Sequence, residues 1–196
     1  MFVRYLMTAQ PVVASLSDSI DTVRGLFKSH GLRRLPVVKN NKFVGLIVSS
    51  DIPESASIAS DAMVDNPMTC HIDDHIEDVG ALMRDRKIGV LPVLHGHELV
   101  GIITESDVLD AFMRITCYEE DSKRICFMVS KESFMPVTIE VINLCQKFGM
   151  ELMTHLSHPV DGGLSQLCML RVTGKKSNEF IDELWKSKYR VLKVDD

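Results

Sequence analysis

The hydrophobic positions in the first part of the chain change their spacing in a fixed order. Ile20, Val23, Leu26 and Phe27 are spaced like one face of a helix. Two short apolar runs follow on either side of the polar residues 39–41, which predicts a pair of strands joined by a turn. With a strand before this helix and a helix after the strand pair, the pattern predicts a β-α-β-β-α unit.

A second copy of this unit lies further along the chain. Sliding the sequence along itself by 56 residues aligns residues 11–52 with residues 67–108 without a gap. A single unit of this size would have a marginal core, so we expect the two copies to pack together. Identical pairs include Pro11 and Pro67, Leu35-Pro36-Val37 and Leu91-Pro92-Val93, Val44-Gly45 and Val100-Gly101, and Ser50-Asp51 and Ser106-Asp107.

The last part of the chain carries a different pattern, in the order βαββαβ of a ferredoxin-like domain. The hydrophilic residues 119–123 form the predicted linker to it. The predicted domains are residues 1–56, 57–119 and 123–196. In the last domain, strands are predicted over residues 124–130, 151–159, 164–172 and 190–194, and helices over residues 136–148 and 178–188.

Composition narrows the class of protein. Among the 196 residues, 45% are apolar and 25% charged, which argues against a disordered or disulfide-dense chain. The net charge of −5 gives no general affinity for nucleic acid or an anionic membrane, so neither is a predicted partner. All of the excess negative charge lies in residues 1–119, with 11 basic and 16 acidic residues, because residues 120–196 have 11 of each.

The cysteines and the apolar runs predict a location. The chain has five cysteines without a C-x-x-C spacing, which favours a reducing compartment over a disulfide framework. No apolar run has the length of a signal sequence or a membrane helix. We therefore expect a complete, soluble, cytoplasmic protein. The cysteines are Cys70, Cys117, Cys126, Cys145 and Cys168.

Each copy of the unit continues from a glycine through apolar residues into a polar turn that ends in aspartate, at residues 45–51 and 101–107. One such polar residue would be enough to cap a following helix. Together with the repeated Leu-Pro-Val motif, however, the pattern resembles two tandem CBS domains, which together are called a Bateman module. The last domain is similar to an ACT-like domain, and the whole chain resembles acetoin-utilisation-type CBS-ACT regulatory proteins.

The resemblance implies an α+β fold in which the two CBS repeats pack with pseudo-two-fold symmetry, followed by the ferredoxin-like ACT-like domain. It also implies two clefts for adenosine-containing ligands, each built from both repeats. In such a cleft a carboxylate accepts hydrogen bonds from the ribose, and each charge-assisted bond contributes roughly 1.5–3 kcal/mol. The first cleft would consist of Thr8, Val13, Leu32, Arg33, Arg34, Thr104, Ser106 and Asp107.

Arg33 and Arg34 are the predicted phosphate contacts, because a phosphate needs cationic partners. Their counterparts in the second repeat, Gly89 and Val90, are uncharged. The alternative is that both arginines lie on a solvated turn, as most exposed arginines do. Phosphate contact is favoured because the surrounding half of the chain is acidic and the family places this position at the central cleft.

The second cleft is predicted to be weak or empty. It would use Asp51, Val64, Met68 and Ile88, but Val48 stands where the second repeat has Thr104, and Val64 stands where the first repeat has Thr8. The loss of one hydroxyl contact of about 1 kcal/mol weakens binding roughly fivefold.

No metal site is predicted from the histidines. His71 and His75 lie near Asp73 and Asp74, and His95 and His97 lie near Glu98, but none has a recognised ligand spacing. His155 and His158 are three residues apart on a predicted strand, so they point to opposite faces.

The sequence also lacks the common motifs of a catalytic nucleophile and of a phosphate-binding loop, so neither an enzyme nor a required cofactor is predicted. The leading hypothesis is a homodimeric regulatory module that senses AMP, ADP, ATP or a related adenosyl metabolite. One alternative is a scaffold for an oligomer or a partner enzyme that binds no ligand. Another is an amino-acid sensor acting through the ACT-like domain, although Phe134-Met135 stands where that family has Pro-Gly.

Overall fold

A computed structural model describes residues 1–118, 121–186 and 190–195. The chain divides into two compact units, Met1–Ala111 and Phe112–Asp196. Glu119 and Glu120 of the predicted linker, and Ser187 and Lys188 of the predicted last helix, lie outside the described residues. Over the described ranges, no helix has both the length and the apolar character needed to cross a membrane.

The first unit contains the two repeats. Its helices are α1 Ile20–His30, α2 Ala59–Ala62, α3 Ile76–Arg86 and the start of α4 Glu105–Ile115. Its strands are β1 Thr8–Ala9, β2 Ala14–Ser15, β3 Arg34–Lys39, β4 Lys42–Val48, β5 Met63–Asp65, β6 Cys70–His71, β7 Val90–His95 and β8 Glu98–Thr104.

The strand pairing repeats the 56-residue offset of the sequence. Parallel pairing of β2 with β3 and antiparallel pairing of β3 with β4 match the pairing of β6 with β7 and β7 with β8. The first strand of each repeat pairs with the other repeat: Thr8 of β1 lies opposite Ile102 of β8, and Val64 of β5 lies opposite Leu46 of β4. Because of this exchange, residues from both repeats meet at the end of each hairpin.

The exchange extends into the cores. Val3, from a short 3-10 helix at the start of the chain, is buried among core residues of the second repeat, and Ala59 is buried in the core of the first. These two residues are 56 positions apart, so the core of each repeat receives a residue from an equivalent position, Val3 in a 3-10 helix and Ala59 in α2. Neither core is built from one repeat alone.

The two repeats differ after their hairpins. In the second, β8 leads directly into α4, an 11-residue helix. In the first, residues Ser49–Asp51 form a single 3-10 turn, so the helix predicted to follow this strand pair is wrong. Val48 cannot accept a capping hydrogen bond as Thr104 does, and Pro53 lacks the N–H that a fifth helical residue donates to a carbonyl one turn earlier.

The second unit has the predicted βαββαβ order. One face of its sheet packs on both helices around Phe127, Leu170 and Phe180, which are almost fully buried. Its four strands lie in the order β10-β11-β9-β12, with every pair antiparallel. The elements are β9 Lys123–Ser130, α5 Phe134–Phe148, β10 Glu151–Val160, β11 Ser165–Thr173, α6 Ser177–Trp185 and β12 Arg190–Asp195.

Candidate functional site

The candidate site begins where β1 crosses onto β8. A Cβ atom on Gly101 would lie 3.0 Å from Met7 Cγ and 3.1 Å from the carbonyl oxygen of Thr8. Glycine therefore lets the backbone of β1 approach β8 more closely than any other residue would. The close approach places Thr8 beside the strand that ends at Thr104.

A cleft of 420 Å³ lies next to this crossing and has mostly apolar walls. Apolar walls with a few polar groups suit an aromatic base joined to a sugar. Of the residues predicted for the first site, Thr8, Leu32, Arg33, Arg34 and Thr104 lie together here. The remaining lining residues are Gln10, Pro11, Val12, Gly31, Pro36, Gly89, Val90 and Ile102.

Val13 does not line this cleft, although the sequence assigned it there. Its side chain is 36% exposed, and the neighbouring Val12 lines the cleft instead. The 56-residue offset pairs Val12 with Met68, the residue predicted for the other cleft. Strict use of the repeat alignment would therefore have identified Val12.

Thr104 and Asp107 bind each other at the start of α4. Asp107 Oδ2 accepts hydrogen bonds from the backbone N–H and the hydroxyl of Thr104, both at 2.7 Å. The backbone N–H of Asp107 donates to Thr104 Oγ1 at 3.3 Å. This is a capping box, so the structural role considered for these residues is present. Asp107 is not itself among the residues that line the cleft, but both bonds to its carboxylate fall on Oδ2, which leaves Oδ1 able to accept a further hydrogen bond.

A larger groove of 750 Å³ adjoins the apolar cleft. The two share Arg33, Arg34, Gly89 and Thr104, and Ser106 lines the larger groove alone. Arg33 is exposed and Arg34 is half-buried. Both guanidinium groups are therefore placed where an anion attached to a ligand in the cleft would come within reach.

Sequence reasoning missed two cations of this groove. Arg84 and Lys87, at the end of α3, line it together with Arg33 and Arg34. A signal was present in the repeat, since Lys87 aligns with Gly31, and a lysine in place of a helix-ending glycine is unusual.

The residues predicted for the second cleft lie in corresponding places without the same polar arrangement. Asp51 is in the 3-10 turn, where its Oδ1 accepts a hydrogen bond of 2.6 Å from the Ser50 hydroxyl. Val64 is 55% exposed on β5, Met68 is exposed, and Ile88 packs against the core of the second repeat.

The histidines do not form a metal-binding cluster within the described ranges, where no group of three or more metal-ligating side chains occurs. His71 Nδ1 accepts a hydrogen bond of 3.2 Å from the backbone N–H of Asp73, and the rings of His71 and His95 lie 5.9 Å apart. His155 and His158 both lie on β10, and burial lowers the pKa of His155.

All five cysteines are free thiols. Burial raises the pKa of Cys70 to about 12 and that of Cys168 to about 11, and it also raises the pKa of Cys145. These three thiols are therefore protonated near neutral pH and are poor nucleophiles.

In the second unit, the segment predicted to differ from the ACT pattern starts α5. A 3-10 helix, Lys131–Ser133, leads into it, and Phe134 and Met135 are its first two residues. Ser130 Oγ accepts a hydrogen bond from the backbone N–H of Ser133 at 3.3 Å.

Comparison with known proteins identifies relatives of the first unit. The CBS domain family model matches residues 3–55 and 59–114. An inosine-5'-monophosphate dehydrogenase from Korarchaeum cryptofilum is 32% identical over 101 residues, which are 50% of this chain and 21% of that enzyme. The chain thus spans about a fifth of the length of this curated relative.

Solved structures with the same fold include the CBSX2 protein from Arabidopsis thaliana in complex with AMP. It is 25% identical, with a TM-score of 0.55, and the match covers 58% of this chain and 97% of that one. The CBS domain pair of protein MJ0100, in complex with 5'-methylthioadenosine and S-adenosyl-L-methionine, is 27% identical with a TM-score of 0.51, covering 57% and 95% of the two chains. With two family matches that together span more than half of its length, the chain belongs to the CBS domain family and carries two CBS domains in tandem.

Proposed function

We propose that the first unit is a regulatory module that binds an adenine nucleotide or related adenosyl ligand in its apolar cleft. The observation that carries the proposal is the meeting of Thr8, Leu32, Arg34 and Thr104, from both repeats, at one cleft. Structural neighbours solved with AMP and with adenosyl compounds support the same ligand class.

Each part of the ligand has a matching part of the cleft. The purine ring lies between apolar side chains such as Leu32, Val12 and Ile102, where burying its faces is favourable. The ribose hydroxyls donate to Asp107, whose capping bonds use only Oδ2. A 5'-phosphate then extends toward Arg34.

Regulation follows from how the cleft is built. Because both repeats contribute walls, a bound ligand stabilises one arrangement of the repeats relative to others. The ligand shifts the equilibrium only by its difference in affinity for those arrangements. A partner protein or an attached enzyme that recognises the favoured arrangement would then be the regulated component.

The opposite cleft binds weakly or not at all in this proposal. Val48 provides no hydroxyl beside Asp51, and Val64 provides none on the exchanged strand β5. Each missing hydrogen bond weakens binding by about fivefold, so one strong site per chain is expected.

Replacing Asp107 by asparagine tests the ribose contact. The amide oxygen of asparagine can still accept the hydrogen bond from the backbone N–H of Thr104, so α4 keeps its start, while the charge that strengthens the ribose bonds is lost. We expect the Kd for AMP, measured by isothermal titration calorimetry, to rise about tenfold or more.

The matched control is Asp110→Asn, which removes the same charge from an exposed position on the same helix. The Kd of this variant for AMP should match that of the wild-type chain. Equal affinity of the Asp107→Asn variant and the wild-type chain would contradict the assignment of the ribose contact.

We also propose that residues 123–196 form an ACT-like domain that joins two copies of the chain. The strand order β10-β11-β9-β12 with βαββαβ connections supports the domain type. Met135, Ile139 and Ile142 support association, because they form an apolar stripe on α5 that is 62, 55 and 40% exposed. Amino-acid sensing is less favoured, because Phe134 and Met135 fill the helix start where Pro-Gly would let a ligand reach the backbone.

The cytoplasmic location remains a prediction from the cysteine content.

A further inference from the structure

We infer that the chain selects nucleotides by the length of their phosphate chain, and that Arg84 and Lys87 prefer a 5'-triphosphate over a 5'-monophosphate. The inference rests on the proposed binding of adenosine in the apolar cleft. It assigns a separate role to the adjoining groove and to two residues outside the predicted site.

The groove is a continuation of the cleft. Arg33, Arg34, Gly89 and Thr104 line both, so a ligand whose base and sugar occupy the 420 Å³ cleft has its 5' end at the entrance of the 750 Å³ groove. That added space is more than a single phosphate needs. A longer chain of phosphates would extend along it toward the end of α3.

Charge makes the groove suitable for several phosphates. Its lining holds four basic side chains, those of Arg33, Arg34, Arg84 and Lys87, and one acidic side chain, that of Glu105. Arg84 Nε donates to Asp85 Oδ1 at 2.9 Å, but both side chains are exposed, and an exposed ion pair is weak enough to rearrange around a stronger anion. The basic groove contrasts with the acidic total of residues 1–119.

The first turn of α4 adds to this potential. Thr104, Glu105 and Ser106 all line the groove at the N-terminal end of the 11-residue helix, where backbone N–H groups carry partial positive charge. Four cations and a helix start are thus directed at one space.

The backbone of Lys87 is an independent sign of function. Lys87 ends α3 in the left-handed region, with φ of 55°, which a side chain disfavours. Gly31 ends α1 at the equivalent place with φ of 64°, and there glycine avoids the strain. Lysine at this strained position, at the mouth of a basic groove, is explained if its positive charge binds phosphate.

The equivalent groove of the first repeat differs from this groove in size and in its basic side chains. It is smaller, at 400 Å³, and its basic side chains are those of Arg24 and Lys28. Arg24 also lies 3.8 Å from Asp21. Of these two grooves, the one next to the apolar cleft is therefore the one that combines the arginine pair with Lys87.

The test compares adenosine, AMP, ADP and ATP by isothermal titration calorimetry of the full chain in magnesium-free buffer at low ionic strength. We expect the affinity to rise with each phosphate, and ATP to bind at least about tenfold more tightly than AMP. The preference should decrease with added salt, because the groove is open to solvent.

Two variants assign the preference to the groove. Arg84→Gln and Lys87→Gly should each bring the Kd for ATP closer to the Kd for AMP by roughly threefold to tenfold, while the Kd for AMP stays unchanged. Lys87→Gly also removes the backbone strain, so its melting temperature should equal or exceed that of the wild-type chain. A loss of ATP preference in a protein of unreduced stability excludes unfolding as the cause. Arg86→Gln, an exposed change on the same helix, is the control that should alter neither affinity.

The outcomes separate this inference from the proposed function. If AMP and ATP bind equally well, or if both groove variants keep the wild-type preference, selection by phosphate length is wrong and the adenosine cleft stands. If neither adenosine nor any of the three nucleotides binds, the proposed function and the inference are both wrong.

Discussion

Single glycines decide how closely the exchanged strands approach the hairpins. Gly101 faces the Thr8 carbonyl of β1, and its counterpart Gly45 faces the Val64 carbonyl of β5, where an added Cβ atom would lie 2.8 Å from that oxygen. A backbone oxygen cannot move without its strand. Both glycines therefore control the position of a whole strand rather than of one side chain.

Substituting these two glycines separates stability from binding. Gly101→Ala and Gly45→Ala should each lower the free energy of unfolding by about 1–3 kcal/mol, because each forces a strand away from its partner. Gly101→Ala should also weaken AMP binding, since it moves Thr8, whereas Gly45→Ala should leave AMP affinity near the wild-type value. Denaturant unfolding and calorimetric titration measure the two effects.

Gly25 provides the control for the substitution itself. A Cβ atom added there meets no atom within 4 Å, and the residue lies in the interior of α1. Gly25→Ala should therefore stabilise the chain by up to about 1 kcal/mol, as alanine favours a helix. If Gly101→Ala behaved like Gly25→Ala, the close approach of β1 would not be essential.

At the scale of elements, local chemistry explains which predictions succeeded. The hairpin between β3 and β4 was predicted from two apolar runs on either side of a polar turn, and the turn forms at Asn40 and Asn41, which accept positive φ and have it, at 50° and 63°. The helix after β4 was wrongly predicted because the shared Ser-Asp motif concealed Pro53 and the missing hydroxyl at Val48. Repeat identity indicates a shared fold, but the capping residue decides whether the helix forms.

The apolar stripe of α5 gives a prediction about association. Ile139 lies at the centre of the exposed stripe, so Ile139→Asp would place a charge in the interface of the proposed homodimer. We expect the wild-type chain to sediment as a dimer and this variant as a monomer, because burying an unpaired carboxylate is unfavourable.

Asn178→Asp is the matched control, with a charge added to an exposed residue in the first turn of α6, outside the stripe. It should remain a dimer if the stripe forms the interface. Dimers of equal stability for all three proteins would show that another surface joins the copies, and a monomeric wild-type chain would contradict the homodimer.

For the whole molecule, the sequence indicates two copies of one unit followed by a different pattern, but not the route by which the repeats combine. The repeat spacing and the apolar periods indicate which segments form strands and helices. The exchange of β1 and β5 was beyond those signals, because two- and three-residue strands have no measurable period and pair with residues far along the chain. The resemblance to CBS domains implied clefts shared by the repeats, and the pairing of Thr8 with Ile102 brings residues of both repeats to the apolar cleft.

Arg84 and Lys87 were missed for a related reason. They come from the end of α3, which carries no motif for anion binding, and only the folded arrangement brings them beside Arg33 and Arg34. The lysine at the position equivalent to Gly31 marks Lys87 as unusual, but the three-dimensional structure is needed to show that it lines the same groove as Arg33 and Arg34.

Isothermal titration calorimetry of the wild-type chain with AMP tests the central claim most directly. A shared cleft with one complete set of polar groups predicts saturable binding with one strong site per chain. Absence of binding, or two sites of equal affinity, would contradict the account, because the second result would mean that Val48 and Val64 do not distinguish the clefts.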